Sequence, residues 1–127
     1  MANSPRIAVD AMGGDVGPRV VVAALIMSLR KHPSASALVF GDLQKVTEEL
    51  GVCSDRRLLN RVEVRHCDQV VGDEDKPSLV LRHKQDSSMG LALKAVADGE
   101  AHACISAGNT GALMALGLVR LKTLPGI

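Results

Sequence analysis

Three short segments combine glycines with hydroxyl, amide or cationic side chains in a way that suits an anion. The first is Asp10-Ala11-Met12-Gly13-Gly14-Asp15-Val16-Gly17-Pro18. Glycines let backbone N–H groups come close to a ligand, and a helix beginning at Pro18 adds the partial positive charge of its N-terminus. Proline suits that first helical position because its missing N–H would have no intrahelical partner there. The segment is neither a GxGxxG fingerprint nor a P-loop, since the lysine is missing. Asp15 repels a bare phosphate unless a donor or a cation intervenes. A tight strand-to-helix turn accounts for the same glycines equally well.

The second segment is Lys84-Gln85-Asp86-Ser87-Ser88-Met89. Lys84 offers a cation, Ser87 and Ser88 offer hydroxyl donors, and Arg82 stands close enough to add a second cation. Capping of the following helix by Asp86 or Ser87 is the competing account. The third is Ser106-Ala107-Gly108-Asn109-Thr110-Gly111-Ala112. It follows an apolar stretch and opens a helix, and Gly108 and Gly111 flank the donors Asn109 and Thr110. Strand, glycine turn and helix N-terminus together make it the strongest anion or oxyanion candidate in the chain.

The elements that must position these segments alternate between strand and helix. Arg6 to Met12 reads as a buried strand, followed by a helix from Pro18 to His32 that is apolar on nearly every side and is therefore expected to be well buried. Ala37 to Phe40 is a second strand. Asp42 caps a helix from Leu43 to Leu50 that stops at Gly51, and a helical turn spans Asp55 to Leu59. Val62 to His66 alternates apolar and polar residues, the pattern of a strand exposed on one face. Asp68 to Pro77 is polar and irregular. Helices are expected over Ser78–His83, Ser88–Asp98 and Ala112–Lys122, with a buried strand at Ala103–Ser106 and a turn at Gly108–Gly111. Leu124 to Ile127 begins another connection. The pattern predicts an α/β fold: a mainly parallel sheet with helices on both faces, a Rossmann-like three-layer sandwich. Ligands in such sheets collect beyond the carboxyl ends of the strands, so all three segments are expected at one rim.

Composition bounds the rest. The 127 residues suit one domain, and 46% of them are hydrophobic, enough for a core. Phe40 is the only aromatic, so the core is aliphatic and single-stranded nucleic acid, which needs stacking rings, is disfavoured as a partner. Net charge is +1, which gives no global field toward nucleic acid or membrane. Arg56, Arg57, Arg61 and Arg65 form a local basic cluster, read either as a solvated helix face with its flank or as a dock for an acidic partner. Cys53, Cys67 and Cys104 are odd in number and widely spaced, against a disulfide framework or a zinc site. Cys104, in an apolar run, reads as a buried inert thiol. The sequence has no signal-peptide pattern at its start, and Val20 to Met27 is its longest apolar run, short of the roughly 20 residues of a spanning helix. A soluble, cytoplasmic protein is expected. The chain stops in mid-pattern and reads as part of a longer one.

VDAMGGDVGP, RHKQDSSM and SAGNTGALM resemble, in order and spacing, the motifs of the PlsX family of bacterial phosphate acyltransferases, and the resemblance covers essentially the whole chain. SAGNTGALM is the most specific of the three. The resemblance implies the N-terminal part of a single α/β acyltransferase domain, with a fold similar to isopropylmalate dehydrogenases and phosphate acetyltransferases. It implies transfer of a fatty acyl group from acyl carrier protein to inorganic phosphate, giving acyl phosphate for phospholipid synthesis. It also implies a homodimer, peripheral association with the inner face of the cell membrane through the missing C-terminal part, and no metal or organic cofactor. Carried over by position, Asp10, Gly13, Gly14, Asp15 and Gly17 match the first motif, Lys84, Ser87 and Ser88 the second, and Ser106, Gly108, Asn109, Thr110 and Gly111 the third. Asn109, Lys84 and Ser88 are the expected catalytic groups and the others the phosphate-binding set. Val16 and Asp86 occupy variable family positions. Two other readings stay open: a fragment of an isopropylmalate-dehydrogenase-like NAD enzyme, and a non-catalytic binding or dimerisation module.

Overall fold

The structure is a computed structural model that describes residues 4–126. Ile127, the last residue of the connection expected at the end of the chain, lies outside the described residues. Four parallel strands, β1 (Arg6–Asp10), β2 (Ser36–Gly41), β3 (Val62–His66) and β4 (Ala103–Ile105), form one sheet in the order β3-β2-β1-β4. Six helices connect them: α1 (Pro18–Lys31), α2 (Leu43–Leu50), α3 (Arg56–Leu59), α4 (Pro77–His83), α5 (Ser88–Ala97) and α6 (Thr110–Arg120). The α/β architecture expected from the alternation is the one observed.

Register follows from the alternation of side chains across the sheet. Ile7 pairs with Ala37 and Ala103, and Val9 with Val39 and Ile105. Val9, Ala37 and Val39 face Val22, Ile26 and Leu29 of α1, Val46 and Leu50 of α2, and Leu58 of α3. The opposite parity, Ala8, Leu38 and Phe40, faces Ala92 and Ala95 of α5. A third cluster joins α4, α5 and α6 through Val80, Met89, Leu93, Ala112 and Leu116. Helices therefore cover both faces, and the core is aliphatic apart from Phe40.

The helix ends are fixed by residue type. Asp42 accepts the Lys45 N–H at 3.0 Å, and Asp55 accepts those of Arg57 and Leu58. Arg61 closes the other end of α1. Its guanidinium donates to the carbonyl of Leu29 in the last turn and to those of His32 and Ala35 just beyond it, at 2.8–3.0 Å. Arg65 pairs with Glu100 and Glu63, which raise its pKa further, and lies over the Phe40 ring. Of the four clustered arginines, two are thus bound into the fold, and only Arg56 and Arg57 stay available to solvent.

Two expectations are corrected. β4 was expected to be buried, yet Ala103 and Ile105 are exposed, Ile105 by 58%. β4, like β3, is an edge strand among the described residues, and Ile105 is left open to the groove along α1. α1 was expected to be buried around its circumference, but only Val22, Ile26 and Leu29 are, while Val20 and Met27 are more than half exposed. Val20, Val21 and Leu25 of α1, with Ile7, Val9 and Ile105, line an open apolar groove of about 390 Å³. Smaller differences are end effects: β1 stops at Asp10 rather than Met12, and α6 begins at Thr110 rather than Ala112.

Burial, reinforced by the negative charge of Asp10, pushes the thiols of Cys67 and Cys104 up to about 11. The thiolate is the reactive form, so both are unreactive near neutrality. In the folded protein, iodoacetamide is expected to alkylate Cys67 and Cys104 slowly at about pH 8 and progressively faster as the pH approaches the raised pKa. Peptide mapping that finds both fully modified within minutes at the lower pH would contradict this.

Candidate functional site

The strand order places the site. From β1 the chain runs outward to β2 and β3, then returns to lay β4 on the other side of β1. The loops leaving β1 and β4 therefore diverge, and a crevice opens between them at the point where ligands bind in open α/β sheets. The first segment, Asp10 to Pro18, is the loop after β1, and the third, Ser106 to Ala112, is the loop after β4. The second reaches the same rim differently. It lies between α4 and α5, and its Gln69↔Ser87 bridge and the N-terminus of α5 bring it under the crevice.

One side chain joins all three. Asp10, only 2% exposed, accepts the Ser88 hydroxyl at 2.6 Å and the Met12 N–H at 3.1 Å on Oδ1, and the Ser106 hydroxyl at 2.8 Å on Oδ2. Ser106 Oγ in turn accepts the Gly108 N–H at 3.1 Å. Asp10 is held among these donors at the floor of the crevice. Ser88 is equally buried, its hydroxyl committed to Asp10. The Ser87 hydroxyl is fully buried and accepts the Gly90 N–H, capping α5. The serines expected to donate to phosphate thus donate to Asp10 or cap a helix in this structure.

Above Asp10 the two loops touch backbone to backbone. A Cβ on Gly13 would lie 2.8 Å from the Gly108 nitrogen and 3.0 Å from Asp10 Oδ2, so only glycine permits the approach. Gly90 is a second such position. A Cβ there would collide with the Gln85 carbonyl, which α5 meets as it passes under the second segment. Sequence reasoning missed Gly90, because a glycine inside a helical pattern carries no sign of what crosses it. The loops after β1 and β4 enclose a groove of about 470 Å³ lined by Gly13, Gly14, Asp15, Gly17, Ala107 and Gly108, with Val16, Val20, Val21 and Asp73. Gly14 and Gly17 take positive φ, and Gly17 caps α1. The N–H groups of Gly13, Gly14 and Ala107 have no partner among the described residues.

Asn109 and Lys84, the expected catalytic groups, are both hydrogen-bonded within the fold. Asn109 caps α6 by accepting the Ala112 N–H at 3.1 Å. Its amide nitrogen donates to the carbonyls of Gly72, Asp73 and Asp75 at 2.8–3.4 Å. Lys84 Nζ donates to the Val70 carbonyl and to Asp75 Oδ2, the latter at 2.5 Å. Asp75 also accepts the Gly72 N–H at 2.8 Å. Lys84 first, then that N–H, hold the Asp75 carboxyl below its ordinary range. Together Asn109 and Lys84 fasten the polar strap 72–75 across the rim, and the strap brings Asp73 to the groove. Thr110 and Gly111 are exposed at the start of α6, and their N–H groups have no partner among the described residues. Among those residues no group of three or more His, Cys, Asp or Glu is placed to hold a metal.

The arrangement offers neutral backbone donors and a helix N-terminus on a rigid floor, the elements of an anion or oxyanion site. Rigidity depends on Asp10. Replacing it with alanine leaves Ser88 Oγ, Ser106 Oγ and the Met12 N–H without an acceptor, at about 1–3 kcal/mol for each buried group left unpaired. Urea denaturation of the intact protein should therefore show Asp10→Ala destabilised by about 3 kcal/mol or more, the lower end of three such losses, with Asp10→Asn intermediate. Wild-type stability in Asp10→Ala would refute the hub.

Residues 5–127 match the family described as fatty acid synthesis protein. A phosphate acyltransferase of Shewanella halifaxensis is 49% identical over 121 residues, covering 95% of this chain and 35% of the relative. One of Vibrio cholerae is 48% identical over 124 residues with the same coverage, and one of Vibrio vulnificus is 49% identical over 127 residues, covering 98% and 36%. The chain spans about a third of the length of these curated relatives. With a match across nearly every residue, including all three loops of the crevice, the chain belongs to the fatty acid synthesis protein family, and it is similar over that span to phosphate acyltransferases.

Proposed function

We propose that this chain is the phosphate-handling part of an enzyme that transfers a fatty acyl group from acyl carrier protein to inorganic phosphate. The observation that carries the reading is the crevice in which Asp10 ties the loops after β1 and β4 to α5, leaving backbone N–H groups around a groove of about 470 Å³. The names of the relatives support the reaction class. Residues 1–127 are read as one part of a single acyltransferase domain. The whole protein would be cytoplasmic and homodimeric, with peripheral membrane contact through parts outside this chain. No helix among the described residues is long and apolar enough to cross a membrane.

The chemistry balances without a covalent enzyme intermediate. A phosphate oxygen adds to the thioester carbonyl carbon, the C–O bond forms, and negative charge develops on the carbonyl oxygen. Collapse breaks the C–S bond, and the carrier thiolate leaves and takes a proton from solvent. Phosphate and oxyanion both call for donors already in place, and the N–H groups of Gly13, Gly14, Ala107, Thr110 and Gly111 are such donors. Ser88, Ser106, Asn109 and Lys84 act as positioning residues: the serines through Asp10, Asn109 and Lys84 through the strap. The buried thiols, pushed up to about 11, make poor nucleophiles.

Displacement of a reacting group by about 1 Å costs on the order of 100-fold in rate. Ser88→Ala and Asn109→Ala in the intact protein should each lower acyl phosphate formation, trapped as the hydroxamate, by roughly 10- to 100-fold. Near wild-type turnover in both would remove this crevice as the site.

A further inference from the structure

The groove has the wrong charge for its proposed ligand. Two carboxylates, Asp15 and Asp73, line it, and no lysine or arginine among the described residues does. Lys84, the cation nearest in design, is paired with Asp75 and the Val70 carbonyl instead. Asp15 belongs to the loop after β1. Asp73 comes from outside both loops, on the strap, and its position is not accidental to the fold. Asn109 donates to the carbonyl of Asp73 itself and to those of Gly72 and Asp75 on either side. The Asp73 side chain is exposed and makes no hydrogen bond or ion pair among the described residues. A tethered backbone thus presents an unneutralised carboxylate at the mouth of an anion groove.

We infer that Asp73 is a specificity-determining residue that weakens phosphate binding by like-charge repulsion and so sets the phosphate concentration at which the enzyme saturates. The inference rests on the phosphate reading of the groove. Phosphate carries between one and two negative charges near neutrality, and each is opposed by the Asp73 carboxylate across water-filled space. Repulsion of this kind acts on entry and binding. It falls on KM rather than on the displacement itself, because the charge that leaves the phosphate oxygen is kept on the carbonyl oxygen of the same adduct, so the total charge facing Asp73 is the same in the ground state and the transition state.

The test uses the intact protein and inorganic phosphate as the varied substrate, with Asp73→Asn and Asp73→Lys. The phosphate KM should fall about three- to tenfold in Asp73→Asn and further in Asp73→Lys, with kcat within about twofold of wild type. Added potassium chloride between about 50 and 300 mM should lower the wild-type KM relative to that of Asp73→Asn, because salt screens the repulsion. A purely structural role would not produce that graded, salt-dependent order. An unchanged or raised KM in both variants overturns the inference while leaving the crevice as the site. A wild-type protein that forms no acyl phosphate at all overturns the phosphate reading and this inference with it.

Discussion

A buried carboxylate bound by two serine hydroxyls and a backbone N–H is the constraint on which the site depends. Asp10 sits at the carboxyl end of β1, where the strand order reverses, and its donors come from three different stretches of chain. Burial of such a group is costly unless every lone pair is met. Ser88, 78 residues away, Ser106, 96 residues away, and the Met12 N–H donate to it. The arrangement couples the end of one strand, the start of α5 and the exit of β4 into one rigid floor, and the glycine contact between Gly13 and Gly108 closes it above.

The same economy appears at the rim. Groups that look like ligands in sequence act mainly on the protein itself. Asn109 and Lys84 hold the strap, Ser87 caps α5, and Ser88 anchors Asp10. What remains open to a ligand is backbone: N–H groups at the glycine turns and the beginning of α6. An anion site built this way gains geometry from its neighbours and little charge of its own, so charge near the groove, as at Asp73, has a disproportionate influence on binding.

Much of this was legible in the sequence, for identifiable reasons. Strand and helix alternation, the Asp42 cap, the stop at Leu50 and the edges of β3 depend on local residue types, and local types are what a sequence displays. That the first and third segments share a rim followed from parallel strands alone. The strand order did not, since nothing local says that the chain returns to the far side of β1 after β3. The protein partners of Asp10, Ser88 and Asn109 were not legible because they lie 34 to 96 residues away. Hydroxyl and amide groups have the same donors whether they face a phosphate or a neighbouring loop. β4 and α1 looked buried because apolar composition marks a surface that is to be covered without saying that the covering lies within these residues.

Amide chemical shifts of the intact, isotope-labelled protein, followed as inorganic phosphate is added, test the central claim most directly. The account predicts saturable shifts concentrated on the N–H groups of Gly13, Gly14, Ala107, Thr110 and Gly111, lost together in Asp10→Ala. Saturable shifts centred on Lys76 to His83 or on Arg56 and Arg57, with the glycine turns unmoved, would contradict it.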